Sequence, residues 1–123
     1  MTNPSKKKGT AAETAVVDYL RQFTPFAERR ALAGSSDRGD ISGVLGAVIE
    51  VKNCPQRMRL GEWIEEVQTE VWNAMATLGA VWHKRAGRSS PGDWYVTMTG
   101  SQFVQLLEEA GRIVKHPEQG GEK

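Results

Sequence analysis

The stretch "AVIEVKN", residues 47 to 53, alternates strictly, and after a break at Pro55 the chain changes period. In an extended chain Ala47, Ile49 and Val51 fall on one side, and Val48, Glu50 and Lys52 on the other. "LGEWIEEVQTEVWNAMATLG" then places Trp63, Ile64, Val67, Val71, Ala74, Met75 and Leu78 on one apolar stripe, with Glu62, Glu65, Glu66 and Glu70 mostly outside it. Gly79 is the expected stop of this helix. A strand followed by a long amphipathic helix calls for a sheet with helices packed on it.

The remaining segments extend that pattern. "TAAETAVVDYLRQF" carries Ala12, Ala15, Val16, Tyr19, Leu20 and Phe23 at helical spacings, with Thr10 as expected N-cap and Glu13 completing a capping box. "FAERRALAG" reads as a strand and "SSDRGD" as a loop, and a strand begun at Asp40 turns at Gly43 and Gly46 into the one ending at Lys52. "AVWHKR" and "DWYVTM" are two more strands, and Ser101 is the expected cap of a last helix with Phe103, Leu106, Leu107 and Ala110 inward. The expected order is αβββαββα, an α/β chain of the α+β kind with helices on a central mixed sheet.

A chain of 123 residues suffices for one core and not two. Residues 9–115 are expected as that domain, residues 1–8 as a flexible basic arm and residues 116–123 as a polar tail. No apolar run approaches the roughly 20 residues of a membrane span, and no apolar signal region follows the first lysines. A cytoplasmic protein without membrane contact is the expectation. Cys54, the lone cysteine, reads as a surface thiol, since it can build neither a disulfide framework nor a zinc site.

The net charge of +1 conceals an asymmetry. Up to Leu60, ten basic residues oppose six acidic ones, a balance of +4; beyond it six oppose nine, a balance of −3. A basic first half suits a polyanionic partner such as nucleic acid.

Hard divalent cations take oxygen ligands and commonly only one or two protein carboxylates. Asp40 and Glu50, on neighbouring strands, are suitable ligands, and Lys52 on the face of Glu50 adds a cation able to position a hydroxide or offset phosphate charge. The set suits phosphodiester hydrolysis. Glu-x-Lys has a plainer reading as a solvated strand face, and Glu13 is explained equally by its capping box.

A helix bearing a glutamate, an Asp at the head of a hairpin, Glu-x-Lys on its second strand and a following helix resemble the PD-(D/E)XK nuclease superfamily. Within it, "KKKGTAAETAVVDYL", "SSDRGDI" and "VIEVKN" are most similar to the archaeal-type Holliday junction resolvases, including small phage versions. The resemblance implies a restriction-endonuclease-like core and a Mg²⁺-dependent DNA endonuclease active in recombination and repair, at the nucleoid or in a phage-infected cytoplasm. Mn²⁺ is expected to substitute, with one or two ions bound.

At the matched positions the resemblance makes Asp40 and Glu50 metal ligands, Lys52 the catalytic lysine, and Glu13 a contributor to metal binding, directly or through water. The Val51 carbonyl is a further implied ligand. Gly39 stands where the motif's name has proline, Gly9 resembles the glycine leading into the first helix, and Ser35 or Ser36 corresponds to a loop serine. Gln68 resembles a supporting polar residue after Glu-x-Lys.

The basic residues Lys6, Lys7, Lys8, Arg29, Arg30, Arg38, Arg57 and Arg59 flank this set and are the expected DNA-backbone contacts. His83, beside Lys84 and Arg85, reads as a phosphate-facing strand end. Trp63, Trp72, Trp82 and Trp94 read mostly as core or interface residues. A four-way junction has two-fold symmetry, so a homodimer is expected. The rival readings are a nuclease of the same fold acting on flaps, ends or duplex DNA, and a DNA-binding module that does not cleave.

Overall fold

A computed structural model describes residues 4–30, 39–53 and 57–114, with side chains from residue 9 onward. Its elements are α1 (Pro4–Leu20), β1 (Glu28–Arg29), β2 (Ile41–Ser42), β3 (Ala47–Lys52), α2 (Leu60–Ala74), β4 (Leu78–His83), β5 (Tyr95–Thr97) and α3 (Gly100–Glu109), with a 3₁₀ turn at Pro91–Asp93. The helix and strand order is the expected one. β4 lies between β3 and β5, parallel to the first and antiparallel to the second, so the sheet is mixed. No helix among the described residues is long and apolar enough to cross a membrane.

Alternation along β3 divides the core in two. Val51 packs toward α1 with Ala12, Val16, Val17, Ile41 and Trp94. Val48, on the opposite face, packs under α2 with Trp63, Val67 and Val81. Glu50 shares the face of Val48, where the pattern would otherwise place an apolar side chain, and is only 5% exposed. Burying a carboxylate is costly unless it is paired or binds a cation.

Several expected boundaries shift. α1 begins at Pro4, so the segment read as an arm enters a helix there, and Thr10 and Glu13 lie inside the helix rather than forming a capping box. Proline suits a first helical turn because its φ is preset and its missing N–H costs no hydrogen bond. α2 ends at Ala74, with Met75 left-handed at φ 52°. The Ala76 N–H still bonds back to Val71 O, at 3.0 Å, and those of Thr77 and Leu78 donate to the Gly46 carbonyl at 2.9 and 3.0 Å, which pulls the chain into β4. The cap of α3 is Thr99, whose hydroxyl accepts from the Gln102 N–H at 3.1 Å; Ser101 lies within the helix.

Gly79 is therefore no helix stop but a strand residue that lets α2 come close. A Cβ there would collide with Val71 and, at 2.6 Å, with Val67. Gly79→Ala is expected to cost about 1–3 kcal/mol, the scale of overpacking, read as a lower midpoint in denaturant unfolding. An unchanged midpoint would contradict the close α2–β4 packing.

The expected hairpin also differs in form. β2 pairs with β1, antiparallel, and not with β3. Asp40 makes the link to β3 instead: its N–H donates to Ile49 O at 3.0 Å, while its carbonyl accepts from the Arg30 N–H at 2.7 Å. Gly43 and Gly46 do supply the turn, at φ 91° and 68°.

The aromatic and apolar expectations divide. Trp63 and Trp94 are buried and Trp82 packs partly, but Trp72 and Met75 are exposed. No residue of α3 is buried; Phe103 and Leu106, expected inward, are exposed. The tail from residue 116 and Cys54 lie outside the described residues.

Candidate active site

Asp40 reaches the site from the segment before β2, fixed by its two backbone hydrogen bonds and by a third from the Val51 N–H to Oδ2, at 2.8 Å. Glu50 comes from the α2 face of β3, and its carboxyl group is close enough to that of Asp40 for each to act on the other's ionisation. Lys52, two residues on and on the same face, places Nζ 3.4 Å from Glu50 Oε2. Residues separated by ten positions thus converge, as their types suggested.

Their electrostatics are those of a crowded acidic site. Burial, reinforced by the charge of Glu13, raises the Asp40 pKa to about 6, against the opposing effects of the Val51 N–H and Lys52. Burial raises Glu50 further, to about 10, helped by the charges of Asp40, Glu70 and Glu66. Burial works against the charge of Lys52, but its hydrogen bond to Glu66 and the charge of Glu50 outweigh this, so its pKa lies above the ordinary lysine value.

Two further acids belong to the site. Glu66 and Glu70 stand one turn apart on α2, and carboxylate oxygens of Glu50, Glu66 and Glu70 lie within 4.8 Å of one another. Such a cluster could hold a metal ion. Glu70 is only 1% exposed. Its position, seven residues after the buried Trp63 and three after Val67, was the available signal: that spacing puts it on the buried face of the helix.

The other expected residues are placed less centrally. Glu13 is close enough to act on Asp40, but its carboxylate is paired with Arg29 Nε at 3.0 Å. Arg29 is thereby engaged. Arg30 is half-buried beside Asp40, to which it is joined through its backbone. Val51 touches the site through its N–H. Arg57 and Arg59 are exposed ahead of α2 and line an open depression of about 530 Å³ with Met58, Leu60, Gly61 and Glu62. Gln68 is exposed and sits two positions, roughly 200° of helix, from both Glu66 and Glu70, on the other side of α2. Ser35, Ser36, Arg38 and the side chains of Lys6, Lys7 and Lys8 lie outside the described residues.

His83 is not a surface group. It pairs with Lys52 in the β3–β4 register, is 6% exposed, and its Nε2 lies 2.8 Å from Thr97 Oγ1. Burial lowers its pKa, so it is neutral at physiological pH. Beyond it, Lys84 Nζ lies over the Trp94 ring and the Arg85 guanidinium over the Tyr95 ring, 4.4 Å from its centroid.

The available donors suit a hard divalent cation, since Glu50, Glu66 and Glu70 all offer carboxylate oxygens and Glu50 Oε1 is enclosed without a hydrogen-bond partner. A cation there would offset the burial and the neighbouring negative charge that raise Asp40 and Glu50. Comparison of the chain with protein-family models, with curated proteins and with solved structures gives no match.

Proposed function

We propose that this protein is a metal-dependent, structure-selective DNA endonuclease that cuts four-way junctions, as the archaeal-type Holliday junction resolvases it resembles do. The observation that supports this best is the meeting of Asp40, Glu50 and Lys52 at one half-buried point, with an enclosed Glu50 oxygen lacking a hydrogen-bond partner. Asp40 and Glu50 would hold Mg²⁺, or Mn²⁺ in its place, with Glu66 and Glu70 adding negative charge beside them. When bound, the ion would supply Lewis acidity and lower the pKa of water.

The chain's own groups do the rest. The Val51 N–H and the two backbone hydrogen bonds of Asp40 hold its carboxylate oriented before substrate arrives. Lys52, positively charged at neutral pH, can donate to a phosphate oxygen or orient the attacking water. Backbone contacts would come from Arg57 and Arg59, which are exposed, and from Arg29, Arg30, Arg38 and Lys6, Lys7 and Lys8. A second copy would supply the second incision; Tyr95 and Val96 on β5 and Phe103 and Val104 on α3 are exposed apolar residues that it could cover.

Incubation with Mg²⁺ and labelled four-way junction, flap and linear duplex DNAs tests the proposal. Paired nicks in the junction are expected, with at most slow cutting of the linear DNA. Equal cutting of linear duplex would replace the resolvase reading with that of a general nuclease. Binding without cutting, in Mg²⁺ and in Mn²⁺, would remove the enzymatic one.

A further inference from the structure

The ammonium of Lys52 lies closer to a helix residue than to its neighbour on the strand. Nζ is 2.9 Å from Glu66 Oε1 on α2 and 3.4 Å from Glu50 Oε2 on β3. Lysine is a flexible four-carbon stem ending in a point charge, so an isolated ammonium is poorly fixed. Here it is fixed from two sides. We infer that Glu66 is a positioning residue for Lys52, holding the ammonium beside the reacting phosphate when Glu50 is engaged by a cation.

The reason lies in what each carboxylate must do, and to that extent the inference rests on the nuclease reading. Glu50 is only 5% exposed and interacts with Asp40, Lys52 and the α2 acids. A divalent ion drawing on Glu50 competes with Lys52 for the same carboxylate and repels the ammonium. Glu66 is 46% exposed at its side chain, so it can keep Lys52 as its own partner. Without Glu66 the stem is free to swing toward solvent, its charge intact but misplaced.

The helix that carries Glu66 is packed onto the sheet on either side of it. Trp63 and Val67, one turn before it and one residue after it, are buried against Val48 and Val81 of the sheet. The bare Gly79 lets α2 approach β4 that closely. Glu66 is thus aimed at Lys52 by the packing of the whole helix, and the spacing of fourteen residues between the two carries no local signal.

The test uses the full chain and the variants Glu66→Gln, Glu66→Asp, Lys52→Ala and Lys52→Ala/Glu66→Gln. Since the Glu66 side chain is partly exposed, Glu66→Gln and Glu66→Asp are expected to keep the wild-type melting transition. At saturating Mg²⁺, single-turnover junction cleavage by Glu66→Gln should fall roughly 10- to 100-fold, the scale on which supporting partners act. The junction concentration and the Mg²⁺ concentration for half-maximal rate should stay unchanged, and Glu66→Asp should recover part of the rate. In the Lys52→Ala background, Glu66→Gln should have no further effect.

A wild-type rate for Glu66→Gln would overturn the inference. So would an equal fall in the Lys52→Ala background, or a raised Mg²⁺ requirement, which would make Glu66 a metal ligand. A readout independent of cleavage separates this from failure of the nuclease reading: NMR of ¹⁵N-labelled lysine ammonium groups. The Lys52 signal, identified by its loss in Lys52→Ala, should be sharp in the wild type and lost to fast exchange in Glu66→Gln. An unchanged signal in Glu66→Gln would overturn the restraint even if the protein cuts no DNA.

Discussion

Glu50→Gln should reduce Mg²⁺-dependent cleavage on the order of 10³-fold or more, the scale of losing a preorganised charge at a reacting phosphate, while leaving the metal-free protein as stable as before or more so. Glutamine keeps the shape of the side chain and its carbonyl acceptor but removes the charge. That charge is unfavourable in the folded protein: burial, Asp40, Glu70 and Glu66 all push Glu50 toward its neutral form, and Lys52 only partly compensates. A residue that lowers stability where it stands and is needed for activity is a functional residue. Single-turnover cleavage and chemical unfolding at pH 8 in the presence of a chelator measure the two sides. Retained cleavage in Glu50→Gln would remove Glu50 from the metal site, and a marked loss of stability would make it structural.

The second large effect concerns stability, pH and metal together. Asp40 and Glu50 both have folded-state pKa values above their ordinary 3.8 and 4.5, at about 6 and about 10. For such groups stability is fully present below the ordinary values and is lost as pH rises through the folded ones, because the unfolded chain ionises more readily. The chelated protein should therefore lose stability from this pair between about pH 4 and pH 10, and Glu50→Gln should lose less over the same range. A bound divalent ion reverses the sign at alkaline pH. At a hundred times its dissociation constant it stabilises by about 2.7 kcal/mol, which at about 4 °C per kcal/mol for a domain of this size is a rise near 10 °C. The rise should be several-fold smaller at pH 5, where protons compete for the carboxylates. Thermal unfolding at pH 5 and pH 8, with chelator and with Mg²⁺, checks this; a Mg²⁺ effect equal at both pH values would contradict it.

Much of the architecture was legible because it depends on period. "AVIEVK" alternates and becomes β3, and the stripe from Trp63 to Val71 becomes the buried face of α2. Element ends were less legible because tertiary contacts set them. Gly79 looked like a helix stop, yet its missing side chain serves packing against Val67 and Val71, and the carbonyl of distant Gly46 starts the strand. The inward assignment of α3 failed for a related reason: its stripe is genuine, but the described fold leaves Phe103 and Leu106 exposed.

The site divides along the same line. Asp40, Glu50 and Lys52 are near one another in the chain, and two of them share a strand face, so local pattern was enough to group them. Glu66 and Glu70 enter only when α2 is laid across β3 at a particular rotation, which no local spacing states. Gln68, carried over by resemblance, falls on the other side of that helix. Glu13 lies inside α1 and caps nothing; in the fold it pairs with Arg29 while its charge acts on Asp40.

The most direct measurement is Mg²⁺-dependent cleavage of a four-way junction by the wild-type protein and Asp40→Asn, side by side at equal concentration. Asparagine keeps an oxygen that can accept from the Val51 N–H, so the fold is expected to be retained. The wild type is expected to make paired nicks that a chelator abolishes, and Asp40→Asn none despite equal junction binding. Equal cutting by both proteins, or no cutting by the wild type, would contradict this.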